Sequence, residues 1–146
     1  AYSALYGSEG IVLEGYCGIS PRCVVLSASD DFSGDYLVGA QFPKAYTNVQ
    51  GGTVMLKKYS QLATNTIVFP NVVIGEGAVT GAMTLVNRSL EPWTVNTGIP
   101  VSRSRPRRQG LLQKVRILDG QMMSGGGYRH IVESRGLSCR ARRRAA

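Results

Sequence analysis

Cysteine is scarce in this chain: Cys17, Cys23 and Cys139 are odd in number and form no CxxC pair. Neither a disulfide framework nor a zinc site is indicated, no metal is expected, and a reducing, cytoplasmic setting is the expectation. No run of about 18 apolar residues occurs, so no membrane span is expected. The first residues also lack the basic-then-apolar order of a signal peptide, and a start at Ala1 rather than Met suits a fragment or a processed chain. Aromatic residues make up only 8%, which disfavours a large aromatic-filled sandwich, whereas 18 glycines in 146 residues favour an architecture of many tight turns. Histidine occurs once, as His130.

The net charge of +8 is unevenly placed. Residues 1–100 hold five basic groups against seven acidic ones, so the body is close to neutral. The other 12 basic groups fall after residue 100, against only Asp119 and Glu133. A basic tail can meet an anionic partner, but it does not make the body a nucleic-acid reader, and no specific nucleic acid is expected.

What the chain does have is a period of six. Leu13, Ile19 and Val25 are followed by Leu56, Leu62, Val68, Ile74, Thr80 and Val86. Neither a helix, with period 3.6, nor a half-buried strand, with period 2, sustains that spacing. Four residues after each aliphatic stands a mostly small side chain: Cys17, Cys23, Ser29, Ser60, Thr66, Val72, Ala78, Thr84 and Leu90. The position between includes Asn65, Asn71 and Gly77, types that tolerate positive φ. Each hexapeptide therefore reads as one short strand and one bend, and three of them close a triangular coil of about 18 residues. The fold class expected is all-β, a parallel β-helix of hexapeptide repeats.

The step from Val25 to Leu56 is not a multiple of six, so residues 29–52 read as a long loop leaving the coil, of a length that is usually functional. Pro92 breaks the repeat and Gly98-Ile99-Pro100 turns the chain off the prism. The expected organisation is a β-helix domain over 1–100, a cap with one short helix within 101–118, and a basic, solvated tail over 119–146.

The stretch from Leu13 to about Arg105 resembles the hexapeptide-repeat acetyltransferases. The resemblance rests on Val72-Val73-Ile74-Gly75-Glu76-Gly77-Ala78-Val79-Thr80-Gly81-Ala82, on the exit from Trp93 to Gly98-Ile99-Pro100, and on Ser29-Asp30-Asp31-Phe32-Ser33-Gly34. The last looks most like the branch that acetylates surface sugars and polysaccharides. The resemblance implies a left-handed coil, against the usual crossover hand, and a homotrimer with active sites in the clefts between prisms. It implies acetyl-CoA as co-substrate and a sugar-type acceptor. Carried over by position, the implied cofactor contacts are Thr64, Ala82, Asn87, Arg88 and Arg105. Trp93 is open to two roles, a cap over the last coil or a stack on adenine.

Transfer to a hydroxyl needs a general base, which the galactoside-type relatives supply as a loop histidine. Here the loop carries Asp30 and Asp31 instead, and His130 lies in the tail, far along the chain from the repeat. Either aspartate can be a base, a binder of sugar hydroxyls, or a turn cap. Tyr59 stands at a corner where relatives often carry histidine, and a phenol is a poor base at neutral pH. Cys17 and Cys23 occupy inward positions and read as core. The expected function is acetyl-CoA-dependent O-acetylation of a sugar or polysaccharide precursor. The alternatives are N-acetylation of a nucleotide-linked amino sugar, which relaxes the need for a base, and a catalytically degenerate trimeric scaffold.

Overall fold

The computed structural model describes residues 1–123, in two compact units, Ala1–Arg108 and the segment from Gln109 onward. In the first unit the strands before the loop are β1 (Ala4–Tyr6), β2 (Ile11–Leu13), β3 (Gly18–Ile19), β4 (Val24–Leu26) and β5 (Ala28–Asp30). The loop returns through β6 (Val49–Gly51) into β7 (Val54–Leu56), β8 (Gln61–Leu62), β9 (Ile67–Val68) and β10 (Val73–Ile74). Then come β11 (Val79–Thr80), β12 (Leu85–Val86), β13 (Thr94–Thr97) and β14 (Ser102–Pro106). In the second unit α1 spans Leu111–Met123, so the expected short helix forms and runs on past Leu118. The expected solvated tail lies outside the described residues from 124 onward.

The strands form three faces of a prism. Face one stacks β1, β4, β9 and β12, face two stacks β2, β7 and β10, and face three stacks β3, β8, β11 and β13. Pairing along each stack is parallel, and Ile67 lies beside Leu85, Met55 beside Val73 and Gln61 beside Val79. These partners are 18 residues apart, the length of one uninterrupted coil. Across the loop the offset becomes 43, from Val24 to Ile67 and from Gly18 to Gln61, so the excursion inserts 25 residues without disturbing register.

The inward positions are those the period of six picks out. Val25, Leu56, Leu62, Val68, Ile74 and Val86 are fully buried, and Thr80 nearly so. Burying each large aliphatic contributes about 1.5–3 kcal/mol. Leu13 departs from this and is 48% exposed. It faces the interior beside Leu56, but β2 is an edge strand, so core packs against it from one side only. Ser29 departs too: the chain has already left the coil, and Ser27 takes the buried corner site, donating its hydroxyl to Tyr6 O at 3.1 Å.

Most corners place one residue at positive φ, the corner at 87–89 being an exception. Asn65, Asn71 and Gly77 supply it as expected, but Tyr16, Arg22, Tyr59, Met83 and Trp93 adopt it as well. The left-handed conformation costs about 1–2 kcal/mol for such residues. The ladders on both sides of every corner outweigh that cost.

The last corner is tighter. Ile74 bridges Leu90 and Val79 pairs Val95, offsets of 16 instead of 18. The shortened chain runs so close over Gly75 that a Cβ there would lie 2.5 Å from Leu90 O, and only glycine fits. β14 then turns back antiparallel on β13, which carries the first unit past residue 100, to Arg108.

The interior contains paired and unpaired hydroxyls. Thr66 Oγ1 donates to Ala63 O at 2.7 Å and lies 2.9 Å from Thr80 Oγ1. Ser60 Oγ is fully buried and has no partner among the described residues. Ser60→Ala therefore raises stability, by about 1 kcal/mol, whereas Thr66→Val lowers it by about 1–3 kcal/mol because it takes from the buried Thr80 hydroxyl its Thr66 partner. Thermal melts of the two variants against the parent check the opposite signs.

Candidate active site

The loop leaves the prism at the corner between faces one and two. Its base is a two-stranded antiparallel ladder, β5 against β6, with Asp30 opposite Val49. Asp31 extends the ladder by donating its N–H to Asn48 O at 2.9 Å. Its carboxylate is committed as well: Oδ1 accepts from Ser33 N at 2.8 Å and Oδ2 from Asn48 Nδ2 at 2.7 Å. Hydrogen bonds from the Ser33 backbone, then from the Ser33 hydroxyl and the Asn48 amide, hold its pKa below the ordinary aspartate value. A carboxylate so engaged ties down a loop and is a weak proton acceptor.

Asp30 and Asp31 both line a cleft of about 440 Å³, with Ser29, Phe32, Gln50, Phe69, Asn71 and Asn87. Two carboxylates, three carboxamides, a hydroxyl and two aromatic rings make a surface suited to a polyhydroxylated or amino-bearing ring. Of the residues singled out in the sequence, Asp30 and Asp31 line this cleft, and so does Asn87, which the resemblance had given as a cofactor contact. Sequence reasoning missed Gln50 and Phe69, and it read Asn71 only as a turn residue, because membership depends on the loop folding back on the corner.

The five expected cofactor residues do not converge within one copy. Thr64 and Ala82 stack in successive coils at the corner between faces three and one, where Met83 N donates to Thr64 O at 2.9 Å. Asn87 faces the loop cleft. Arg88 bends over the end of the prism, its Nη2 donating to Val101 O at 2.8 Å, and shares a cleft of about 240 Å³ with Arg103, Asn96 and Ser102. Arg105 sits on β14 opposite Val95, exposed on face three.

The remaining candidates are structural. Cys23 is fully buried, with Sγ donating to Ala63 O at 3.1 Å, and burial pushes the pKa of both its thiol and that of Cys17 up. Tyr59 belongs to the corner between faces two and three, not to the loop cleft. It stacks on Tyr16 with ring centroids 5.6 Å apart, and Trp93 packs on its other side at 6.2 Å. Trp93 reaches Tyr59 by lying across Gly77, so it closes the last coil. Arg107 seals this corner, with Nη1 donating to Tyr59 O at 2.9 Å and Gly77 O at 2.8 Å. Among the described residues no cluster of metal-ligating side chains occurs. His130 and Cys139 lie outside them.

Comparison with known proteins bears on this architecture. No protein-family model matches the chain. It is 35% identical over 112 residues to a dTDP-4-amino-4,6-dideoxy-D-glucose acyltransferase of Escherichia coli, a match covering 77% of this chain and 58% of that protein. It is 41% identical to AntD, an N-acyltransferase from Bacillus cereus solved with dTDP and 3-hydroxybutyryl-CoA. The two superpose with a TM-score of 0.82 over 84% of this chain and 65% of AntD. A maltose O-acetyltransferase from Clostridium difficile, 17% identical with a TM-score of 0.54 over 73% of this chain and 67% of its own, shares the fold alone. The chain thus spans 58–65% of the length of its first two relatives. Its fold is a left-handed parallel β-helix, and in sequence it is similar to acyltransferases of the hexapeptide-repeat type. Its similarity runs more strongly to proteins that acylate an amino sugar than to the O-acetyltransferase.

Because the folded pKa of Asp31 lies below its unfolded value, the loop gains stability at neutral pH. That gain disappears as pH falls below 3.8, the ordinary value, toward the lower folded one. Asp31→Ala removes it at every pH. The expected outcome is faster proteolytic cutting within residues 31–48 at neutral pH with the prism's melting temperature little changed. Limited proteolysis read by mass spectrometry checks it.

Proposed function

We propose that this chain transfers an acyl group from a coenzyme A thioester to the amine of a nucleotide-linked amino sugar. The observation that carries the reading is the loop cleft, where Asp30 and Asp31 stand among three carboxamides and, among the described residues, no lining residue is a histidine. A hydroxyl must be deprotonated as it attacks, whereas a neutral amine attacks a thioester unaided and sheds its proton afterwards. Asp30 orients the amino group and takes up that proton. The C–N bond forms as the C–S bond breaks, and the thiolate leaves to be protonated as free coenzyme A. N-acylation therefore replaces O-acetylation as the main reading.

The similarity to AntD, solved with dTDP and an acyl-CoA, and to an amino-sugar acyltransferase supports the same substrates here. Thr64 and Ala82 offer a flat, partly polar corner to the pantetheine amides, and Arg88 and Arg105 offer charge to the phosphates. Asn87 joins the acceptor cleft to the cofactor side. Since Thr64 and Ala82 stand at one corner and Asp30 and Asn87 at another, the reading includes a homotrimer that brings corners of neighbouring copies together.

The test supplies acetyl-CoA or 3-hydroxybutyryl-CoA with dTDP-4-amino-4,6-dideoxyglucose, or with the analogue bearing a 4-hydroxyl, and follows free thiol release. Turnover with the amine and none with the hydroxyl is expected, and the reverse order would sink the reading. Asp30→Asn is expected to lower kcat/KM at least ~100-fold. Arg88→Ala is expected to raise KM for the thioester about tenfold with kcat nearly unchanged, as for a contact made equally in ground and transition states.

A further inference from the structure

The loop cleft has two walls of different chemistry. The ribbon wall presents Ser29, Asp30, Asp31 and Gln50, every one a hydrogen-bonding side chain. The prism wall presents the carboxamides of Asn71 and Asn87 and, beside them, Phe69 and Pro70. Neither of the last two has a side-chain donor or acceptor, and proline lacks the backbone N–H as well. Phe69 continues the stack of β9 on β12. Ile67 and Val68 pair with Leu85 and Val86, and Phe69 N donates to Val86 O at 2.9 Å, which sets the ring on the prism one coil from Asn87. Phe69 is 38% exposed, so most of the side chain is held by its surroundings and the open part lines the cleft. Phe32, the other ring, stands on the loop and is 77% exposed.

An apolar patch fixed among carboxamides favours an apolar group on the ligand, because a hydroxyl placed against it gives up water and finds no partner in return. In a 4-amino hexose two ring positions adjoin the carbon that bears the amine. C3 carries a hydroxyl, which a carboxamide can hold. C5 carries C6, which is a hydroxymethyl group or, in a 6-deoxy sugar, a methyl group. With the amine at Asp30, C6 is therefore the neighbouring substituent able to meet an apolar wall without an unpartnered hydroxyl. The nucleobase is separated from the hexose by a diphosphate and a pentose, so the hexose and not the base occupies the part of the cleft at Asp30.

We infer that Phe69, with Pro70 beside it, makes this cleft selective for amino sugars whose C6 is a methyl group and against those whose C6 carries a hydroxyl, an inference that rests on the amino-sugar reading of the cleft. Phe69 sets the choice of acceptor by contact and takes no part in proton transfer.

Titration calorimetry without a thioester reads the preference as binding, apart from turnover. The parent is expected to bind dTDP-4-amino-4,6-dideoxyglucose about 10- to 100-fold more tightly than dTDP-4-amino-4-deoxyglucose, which differs only by the 6-hydroxyl. Phe69→Leu keeps an apolar wall and is expected to keep the preference. Phe69→Gln offers the hydroxyl a partner and is expected to cut the preference to less than about threefold. The 6-deoxy-6-fluoro analogue, close to the hydroxyl compound in size but without its proton, separates desolvation from crowding in the parent itself. It is expected to bind within about threefold of the methyl compound. Equal binding of the two sugars by the parent, a fluoro analogue as weak as the hydroxyl compound, or an undiminished preference in folded Phe69→Gln overturns the inference and leaves the amino-sugar reading intact. A parent that binds neither sugar nucleotide overturns that reading, and the inference with it.

Discussion

Everything in the first unit depends on one constraint: the backbone of each coil must pair in parallel register with the coils on either side. Strands of two or three residues cannot hold together as an isolated sheet. They persist here because each coil satisfies the N–H and C=O groups of its neighbours, and because the same register stacks inward aliphatics into a continuous core. Register also forces a bend every six residues, and at most corners a positive φ. That is why tyrosine, tryptophan, arginine and methionine occupy a conformation that local preference would give to glycine or asparagine. The aromatic corner turns the strain to use: Tyr16, Tyr59 and Trp93 all stand at positive φ and pack along one edge, with glycine at the level Trp93 crosses.

Register also explains how a long excursion can be carried without cost to the fold. An insertion at a corner lengthens the offset between paired strands but leaves their inward and outward alternation intact, provided the chain returns to the same face. The 25-residue insertion meets that condition through β5 and β6, whose antiparallel ladder brings exit and return side by side. The prism can therefore remain a rigid scaffold while the loop supplies specificity.

The period of six made the prism legible in the sequence, since each repeat reports one inward aliphatic. It could not show that Leu13 faces a thinly covered end or that Ser27, not Ser29, closes the corner, because both depend on where the stack ends or is interrupted. The site was legible residue by residue and not as an arrangement. Asp30 and Asp31 are adjacent, chemically identical and line the same cleft, yet the carboxylate of Asp31 is tied by hydrogen bonds from Ser33 and Asn48. Only the partners, 17 residues away in the case of Asn48, distinguish them. Gln50 and Phe69 reach the cleft from after the loop and from the next coil, contacts that no local spacing encodes.

The missing histidine looks like a defect only if the acceptor is a hydroxyl. An imidazole matters when a proton must be removed from a group that holds it tightly, at the moment of attack. For an amine the demand is different: the site must position the nitrogen's lone pair against the carbonyl and give the emerging proton somewhere to go. In the proposed reading carboxylates among carboxamides meet both needs, with the amides holding sugar hydroxyls and Asp30 facing the nitrogen. A hydroxyl acceptor makes the heavier demand, because its proton must be removed as it attacks. The chemistry of the cleft and the kinship with amino-sugar acyltransferases thus favour the same acceptor on independent grounds.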